Sequence, residues 1–483
     1  MKKKYVIGLD YGTLSGRAVL VDCADGTILA SAVKNYEHAV MDHSLPGGEI
    51  LPGADWALQY PQDYLDVLAE TVHTVVQKGS VPKEDIIGIG LCTIRSCRVF
   101  LRGDGSLAQP VMSWLDKRAF GPIDVGDSVR YVTTTTGYFT HRLTGNFCDT
   151  AANNTKGQWP IDPYHWDWTD DPQKYIDFHI SRSMLLPLEL PGKILGYLTP
   201  SAAKEIGLPA GIPVVSTAND KAVEALGAGL LGSDTGLVSL GTYITSMVSG
   251  TEFIDDTEDF FCNFSCIPNY YLHESSGIWR GMWTISWLVD LFEQVKREAG
   301  AQNICPEEIL NREAAQIPPG SEGLMTVMEW LCPQPHKKGI MIGFDVRHTR
   351  AHMYRSMIEG IAMTMWKNFK VMCDTVQANP QKLIVSGGGA NSDVFMQVFA
   401  DVFGMPATRN TIASSAGLGS AICAAVATEV YPSFQEAIAN MVRVRDHFYP
   451  DQARHNFYTR LNNEVYSKLS EQMDPLLLKL QSI

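Results

Sequence analysis

The chain has 483 residues, of which 45% are apolar and 19% charged, and its formal net charge is −14. This length exceeds one ordinary hydrophobic core and predicts about two or three domains. The composition excludes wholesale disorder, and the negative charge argues against a broad nucleic-acid-binding face, which is normally basic. A negative protein can still bind ATP, because backbone amides and a metal ion neutralise phosphates locally.

No apolar run is long enough to span a membrane. Asp10 brings a charge directly after the short apolar run Tyr5–Leu9, before the core of a signal peptide could form. The ten cysteines are scattered without the spacing of a zinc site, which favours reduced core thiols. We therefore expect a cytoplasmic protein with no membrane and no nucleic-acid partner.

The first part of the chain is predicted to be a β-meander followed by alternating helices and strands. Alternating or continuous apolar runs, with Gly and Pro at the turns, indicate the elements. In chain order these are strands Tyr5–Leu9, Arg17–Val21 and Thr27–Val33, helix Pro61–Gln77, strand Ile86–Leu91, a hairpin built on Val99–Leu101, a strand ending at Asp220 and a helix over Lys221–Leu231.

The second part repeats the opening pattern, because the strand Gly236–Leu240, the turn Gly241–Tyr243 and the strand Ile244–Val248 form another strand–turn–strand unit. So long a period indicates duplicated domains rather than a solenoid. The elements predicted to follow are helix His352–Val376, strand Lys382–Val385, helix Asp393–Phe403 and a helix from about Asn456. We expect an N-terminal domain over 1–230, a C-terminal nucleotide-binding domain over 231–455 and a helical tail over 456–483.

The two repeated turns are candidate phosphate sites. Asp10 ends the first strand and precedes Gly12, Thr13 and Ser15, and a carboxylate beside a glycine turn with hydroxyls suits Mg-phosphate chemistry. Gly241 and Thr242 form the matching turn, so two hairpins could grip one phosphate chain from both sides. The alternative for each is an ordinary β-hairpin.

A third glycine segment is a candidate nucleotide site. Gly387, Gly388 and Gly389, with Asn391, stand between a strand and a helix, where close backbone approach to a flat ligand such as adenosine is allowed. The alternative is a flexible connection. Neither the dinucleotide fingerprint nor the P-loop motif occurs.

Asp220 is the candidate catalytic base, since an apolar strand delivers it to a strand-to-helix junction. Phosphoryl transfer to an alcohol needs a carboxylate within hydrogen-bond reach of the hydroxyl. The alternative is that Asp220 caps the N-terminus of the following helix, and the local sequence alone leaves both roles open.

A set of aromatic and polar residues could line a sugar pocket, where fixed hydrogen-bonding groups lie beside aromatic faces. Packing is the alternative for each tryptophan, and Trp159, Trp166 and Trp168 are assigned to packing. The candidate set is Trp56, Gln59, Trp114, Asp116, Arg118, Asn153 and Asn154.

Taken together, the chain resembles the FGGY carbohydrate kinases, relatives of the heat-shock chaperone and actin ATPases, over nearly its whole length. Five segments carry this resemblance in the family's order. They are the phosphate motif Gly8–Arg17, the W-x-D-x-R motif Trp114–Arg118, the Ala218–Lys221 segment at the family's G-D-Q, the signature Gly343–Gly360 and the adenosine motif Ser386–Ala390.

The resemblance implies an α/β fold of two ribonuclease H-like domains with ATP and sugar in the cleft between them. By that analogy Asp220 is the general base and Asp10 holds the water shell of Mg²⁺. The phosphates would meet Gly12, Thr13, Ser15, Arg17, Gly241 and Thr242, and the adenosine would meet Gly387, Gly388, Gly389 and Asn391. The sugar would meet Trp56, Arg95, Trp114, Asp116 and Asp220.

The implied reaction is phosphorylation of a ketose, polyol or sugar acid, with ATP and Mg²⁺ as cofactors and a homodimer as an open option. Three departures bear on it: Cys92–Cys97 replaces a segment of the xylulokinase type, the stretch between Arg118 and Tyr138 is short, and Leu331–Pro335 replaces G-E-R-x-P. The opening segment is nearer the ribulokinase branch. Two alternatives are a catalytically silent sugar sensor with the kinase fold and an ATPase of the actin or chaperone type.

Overall fold

The computed structural model describes residues 3–122, 124–255, 257–412 and 415–483. Two mixed sheets dominate these residues. The strands of the first sheet are β1 (Tyr5–Tyr11), β2 (Ser15–Asp22), β3 (Ile28–Asn35), β4 (Ile86–Thr93), β5 (Ile194–Tyr197) and β6 (Pro213–Asn219). Those of the second are β7 (Thr235–Leu240), β8 (Ile244–Gly250), β9 (Phe260–Phe264), β10 (Tyr271–Ser275), β11 (Lys382–Gly387), β12 (Ala407–Asn410) and β13 (Val444–Phe448).

The two sheets have the same topology. The first has the order β5-β6-β4-β1-β2-β3, and the second has the order β13-β12-β11-β7-β8-β10 with β9 added at its edge. In each, an antiparallel meander is followed by two parallel pairings and one antiparallel edge strand. The predicted α/β fold with two ribonuclease H-like domains is confirmed. Below, the first half means the residues up to Ala228, and the second half those from Thr235.

Helices cover the sheets, and their ends follow capping chemistry. Helix α10 begins after Ser392, whose hydroxyl accepts from Phe395 N at 3.4 Å, and ends at Gly404 in the left-handed conformation. The helices are α1 (Pro61–Gly79), α2 (Thr135–Thr144), α3 (Pro172–Asp177), α4 (Pro200–Ile206), α5 (Asp220–Ala228), α6 (Gly281–Asp290), α7 (Glu293–Gln302), α8 (Pro306–Ala314), α9 (Arg350–Val376), α10 (Asp393–Phe403), α11 (Ser415–Ala427), α12 (Phe434–Met441), α13 (Gln452–Leu461) and α14 (Ser467–Gln481).

Short elements complete the described chain. The predicted hairpin after Val99–Leu101 is present, because Leu101 bridges to Leu107 and Ala108 N donates to the Phe100 carbonyl at 2.9 Å; the same strand also pairs with Tyr131–Thr133. The other short strands are Val40–Met41, Leu58–Gln59, Val111–Met112, Asp149–Thr150, Ile161–Asp162, Asp167–Trp168, Leu188–Glu189, Met325–Val327 and Ile340–Ile342. Trp159, Trp166 and Trp168 are buried, as their assignment to packing predicts.

The halves meet along helices α5 and α11, and α11 also lies against β1 and β4 of the first sheet. Glycine permits this close approach, because a Cβ on Gly8 would lie 2.0 Å from the Gly417 carbonyl oxygen. The Ser420 hydroxyl donates to the Leu9 carbonyl at 2.8 Å. A helix that comes late in the sequence therefore covers one face of the first sheet.

The first sheet ends at Asn219 and the second starts at Thr235, on either side of the expected boundary at 230/231. The ranges 1–230, 231–455 and 456–483 stay a prediction. Within the described residues, no helix is both long and apolar enough to cross a membrane.

Candidate active site

Two carboxylates of the first half, Asp10 and Asp220, lie close enough for their charges to interact. They stand at the ends of β1 and β6, which flank β4 in the sheet. Asp10 is the second-last residue of β1 and is paired with Arg17 on the adjacent strand β2. Burial, reinforced by the Asp220 charge, raises the pKa of Asp10 to about 6. The Arg17 Nε atom is buried without a hydrogen-bond partner in the described structure. The negative charge of Asp10 and Asp220 can therefore be neutralised by a bound cation or by a proton.

Asp220 is the first residue of α5, directly after β6. The N-cap of this helix is Asn219, whose side chain accepts from Ala222 N at 3.1 Å. The alternative that made Asp220 the N-cap is therefore wrong. The Asp220 Oδ1 atom is buried and has no hydrogen-bond partner in the described structure, so this carboxylate oxygen is available to a ligand.

The turn between β1 and β2 is fixed by bonds from the surrounding chain. Gly12 N donates to Ser15 O at 3.0 Å. The Trp114 indole donates to the Thr13 hydroxyl at 2.9 Å, and Gln59 Nε2 donates to the Thr13 carbonyl at 2.7 Å. The structure thus brings Trp114 to the predicted phosphate turn, where it orients Thr13.

The matching turn lies between β7 and β8. The first amides of α6 hold it, since Gly281 N donates to Thr242 O at 2.7 Å and Met282 N to Gly241 O at 3.1 Å. These amides have no partner within their own helix, so the turn satisfies them. The Thr242 residue is exposed and Gly241 is half-buried.

The glycine segment after β11 lies against this second turn. Gly387 has a φ of +85°, and a Cβ added to it would lie 2.5 Å from the Leu240 carbonyl oxygen. A Cβ on Gly388 would meet nothing within 4 Å. A small pocket opens beside the segment, lined by Ser386, Gly387, Asn391, Arg409, Asn410 and Ser415 among others.

Arg409 braces the glycine segment, and it was not predicted from the sequence. Its guanidinium donates to the Ala390 carbonyl at 3.1 Å and pairs with Asp393 and Asp446, each at 2.6 Å. No local sequence pattern identifies it, because its partners are distant in the sequence, in the stretch from Ala390 to Asp393 and at Asp446. It stabilises the strand-to-helix connection that carries Gly389 and Asn391.

The predicted sugar residue Asp116 is fully buried, with every acceptor position in use. Its Oδ2 atom accepts from Ala57 N at 2.9 Å and Arg118 Nη2 at 2.6 Å, and its Oδ1 atom accepts from the backbone N and Nε of Arg118 at 3.0 and 2.9 Å. A carboxylate offers about four such positions. Asp116 therefore holds Arg118 and leaves no oxygen for a sugar hydroxyl.

Arg118 and Trp56 form a stacked pair next to Asp116. The Arg118 guanidinium carbon lies 3.4 Å from the centre of the Trp56 ring, a cation–π contact. Both residues are partly exposed. Arg118 thus covers one side of the Trp56 ring, which was predicted to line a sugar pocket.

Arg95 follows β4 and joins the two halves. Its Nη1 and Nη2 atoms donate to the two oxygens of Glu274 on β10, at 2.8 and 3.2 Å. Glu274 is fully buried and also accepts from Asn263 Nδ2 at 3.4 Å. Glu274 was not predicted, because nothing in the sequence of β10 distinguishes it from an ordinary strand residue.

The two asparagines of the predicted set have different environments. Asn153 is buried and its Nδ2 atom donates to the hydroxyls of Thr93 and Thr136 at 3.1 and 3.0 Å. The Oδ1 atoms of both residues are buried without a hydrogen-bond partner in the described structure. Asn154 donates through Nδ2 to the Thr150 carbonyl at 2.7 Å. It lines a crevice between the halves together with Lys156, Asn219, Asn263 and Phe264.

Family models and curated relatives match this chain over nearly its whole length. The model of the N-terminal domain of the FGGY family of carbohydrate kinases matches residues 5–125 and 124–227, and that of the C-terminal domain matches 236–428. An uncharacterized sugar kinase, YgcE, of Escherichia coli (strain K12) is 42% identical over 99% of this chain and 96% of its own length. A ribulokinase of Anoxybacillus flavithermus is 27% identical over 98% of this chain and 95% of its own.

Solved structures share the fold. The crystal structure of a xylulose kinase from Rhodospirillum rubrum matches with a TM-score of 0.80 at 23% identity, covering 98% of this chain and all of that one. Because the two family models together match most of the sequence, in the order expected for one enzyme, the chain belongs to the FGGY family of carbohydrate kinases and is a carbohydrate kinase.

Proposed function

We propose that this kinase transfers the γ-phosphoryl group of ATP to a hydroxyl of a small ketose, polyol or sugar acid, with Asp220 as the general base. The observation that carries the proposal is the buried Asp220 Oδ1 atom, which has no hydrogen-bond partner in the described structure although it lies at the first residue of a helix. An unpaired buried carboxylate oxygen is costly unless a ligand completes it. A sugar hydroxyl is such a ligand.

Asp220 would accept the proton of the attacking hydroxyl as the oxygen–phosphorus bond forms and the bond to the leaving ADP oxygen breaks. A positioned base of this kind contributes about 10²- to 10⁴-fold in rate. Most of the remaining catalysis of phosphoryl transfer is positioning and charge neutralisation. Closure of the two halves would exclude the water that otherwise competes with the sugar.

The site fits a hydrated Mg²⁺ held by Asp10. The described residues contain no group of three or more His, Cys, Asp or Glu side chains placed to hold a metal. Mg²⁺ does not require one, because it commonly keeps several waters and binds through one or two carboxylates plus substrate phosphates. Asp10, beside the unpaired Asp220 oxygen, supplies that minimum. When bound, the ion would neutralise charge on the phosphates.

The nucleotide would lie between the two glycine turns and the Gly387–Gly389 segment. Gly12, Thr13, Ser15 and Arg17 on one side, with Gly241 and Thr242 on the other, offer amides and hydroxyls to the phosphates. The open space at Gly388 and the pocket beside Asn391 suit the adenosine. The unpartnered Arg17 Nε supports its place in this set.

The sugar would bind on the first half, near Asp220, Arg95, Trp56 and Trp114. We assign Asp116 the role of a positioning residue that holds Arg118, since its own oxygens are occupied. The ribulokinase relative supports a ketose, and the sugar kinase relative supports the broader class.

An assay of ADP release over a panel of ketoses, polyols and sugar acids tests this function. A single productive class is expected, with ADP formed in proportion to phosphorylated sugar. Thermal shift with the same panel is the companion measurement. A sugar that raises the melting temperature with no ADP release from any member would support a sugar-sensing protein, and ADP release without sugar would support an ATPase.

A further inference from the structure

A cluster of polar side chains joins the halves beside the proposed catalytic base. It consists of Lys221 and Glu224 on α5, Ser239 at the end of β7 and Ser386 at the end of β11. Lys221 Nζ lies 3.1 Å from Glu224 Oε2 and 3.4 Å from Ser239 Oγ. Glu224 Oε1 accepts from the hydroxyls of Ser239 and Ser386 at 2.6 and 2.8 Å. We refer to these four residues as the lysine cluster.

The cluster lies where three proposed ligand segments converge. Lys221 directly follows Asp220, Ser239 stands two residues before Gly241, and Ser386 directly precedes Gly387. The ammonium group thus bonds to Ser239 beside the second phosphate turn, is linked through Glu224 to Ser386 beside the nucleotide segment, and feels the charge of Asp220. The Lys221 side chain is 17% exposed, so it is accessible from the cleft without being free in solvent.

The ammonium group has bonding capacity left. Lysine has three donor protons, and the hydrogen bonds recorded for the described residues use two of them, one at a long distance. Glu224, by contrast, is anchored through both oxygens. The glutamate thus fixes the end of the lysine chain while one donor stays available to a ligand.

The charge around Lys221 favours a cation that stays protonated. Burial by itself lowers the pKa of Lys221, but Glu224, Glu274 and Asp220 together outweigh it, so that the pKa is raised. Lys221 also acts electrostatically on Asp10. A triphosphate that enters beside these acids needs positive charge, and Lys221 is a point charge already held in place by Glu224 and Ser239.

We propose that Lys221 contacts the terminal phosphoryl group of ATP and stabilises the charge on its oxygens during transfer. This role rests on the proposed phosphotransferase function. Lys221 keeps its proton throughout, while the hydroxyl proton passes to Asp220 and ADP leaves. A cation aimed at the transferring group is the largest single contribution that a protein makes to this chemistry.

The competing interpretation is purely structural, in which the lysine cluster only ties α5 to the second half. Both roles predict that Lys221→Met reduces activity, so activity alone does not separate them. A phosphate contact predicts that the variant discriminates less between a non-hydrolysable ATP analogue and ADP, because the terminal phosphoryl group is the main difference between the two ligands and the substituted bridging atom is the same for every variant. A structural tie predicts equal losses for both.

The experiment measures the dissociation constants of the ATP analogue and ADP by calorimetry, with Mg²⁺ present, for the wild type, Lys221→Met, Lys221→Arg and Glu224→Gln. The ratio of the two constants should shift against the analogue by about tenfold in Lys221→Met, as expected for one charge-assisted hydrogen bond. Lys221→Arg should restore the ratio because the charge returns. Glu224→Gln, which weakens the tie but keeps the lysine, should leave the ratio near wild type.

Tyr431→Phe is the matched control for a lost contact between the halves, since the Tyr431 hydroxyl donates to the Cys23 carbonyl at 2.6 Å away from the site. It should change stability without changing the ratio. An unchanged ratio in Lys221→Met, or the same loss in Glu224→Gln, overturns the inference. Failure of the wild type to phosphorylate any sugar would instead overturn the proposed function, and the binding ratio could still be measured.

Discussion

Arg95 and Glu274 form a bidentate ion pair between the two halves. Arg95 Nη1 lies 2.8 Å from Glu274 Oε2, and Arg95 Nη2 lies 3.2 Å from Glu274 Oε1. The arginine side chain is 26% exposed and the glutamate carboxylate is fully buried. The partners are 179 positions apart in the sequence. This ion pair therefore depends on both halves being in place, and it lies at a residue that we propose for the sugar site.

Arg95→Met should lower the free energy of unfolding by about 3 kcal/mol, because it leaves Glu274 buried without its hydrogen-bonded cation. Adding Glu274→Gln should recover most of this loss. Thermal and urea denaturation measure both. The exposed pair Lys156–Asp255, which also spans the halves, is the control, and Lys156→Met should cost about 1 kcal/mol or less. If the sugar KM rises in the single variant and stays high in the double variant, Arg95 also contacts the sugar.

Asp220→Asn should reduce kcat by about 10²-fold or more, since the amide cannot accept the hydroxyl proton. The affinity for ATP should be retained, because the change leaves both phosphate turns intact. Steady-state kinetics and nucleotide titration check the two expectations. Asp451→Asn is the same chemical change at the N-cap of α13 and should leave kcat as it is. Turnover near wild type in Asp220→Asn would remove Asp220 from its role.

Asp10→Asn should stabilise the protein at pH 8 when nucleotide and Mg²⁺ are absent. The carboxyl pKa is raised from 3.8 to about 6 by burial and by Asp220, so the folded state favours the protonated form. The stability that this group supports is complete below about pH 4 and is lost as the pH rises through about 6. The gain in the variant should therefore be about 1–3 kcal/mol at pH 8 and vanish near pH 4, as followed by melting temperature against pH.

Gly387→Ala should lower the stability of the protein, whereas Gly388→Ala should weaken ATP binding and leave stability unchanged. At Gly387 the backbone has a φ of +85° and an added Cβ would meet the Leu240 carbonyl at 2.5 Å, so alanine should destabilise the fold by about 1–3 kcal/mol. At Gly388 the added Cβ meets no protein atom within 4 Å. That variant should melt like the wild type but bind ATP more weakly. Equal ATP affinity in Gly388→Ala would place the adenosine elsewhere.

Elements with short-range signals could be predicted well from the sequence. Helix α10 was predicted as Asp393–Phe403 and has those bounds, and α9 begins only two residues before its predicted start at His352. The apolar periodicity and the capping residues of such a helix lie within a few positions of each other. A short stretch of sequence is therefore enough to predict its bounds. The strand–turn–strand repeat was found for the same reason, and it leads directly to the duplicated topology.

Features that depend on distant contacts could not be predicted. The resemblance places Asp116 among the sugar residues, whereas its Oδ2 atom accepts from Ala57 N, 59 positions away in the sequence, and all of its acceptor positions are in use. The pairing of Glu224 with Ser386 joins residues 162 positions apart, and no local pattern indicates it. The N-cap of α5 is Asn219 rather than Asp220, a difference of one position. Residue preferences do not define the start of a helix to one residue.

The position of helix α11 has a consequence for how the polypeptide can be divided. Val19 of β2 lies against Gly417, and Leu9 accepts a hydrogen bond from Ser420, so a fragment cut near residue 230 would expose this apolar face of its sheet to water. During synthesis the ribosome must release Ser415–Ala427 before that face is covered. We expect the amino-terminal fragment alone to aggregate, and split-protein reconstitution to succeed only when the complementary piece supplies Ser415–Ala427.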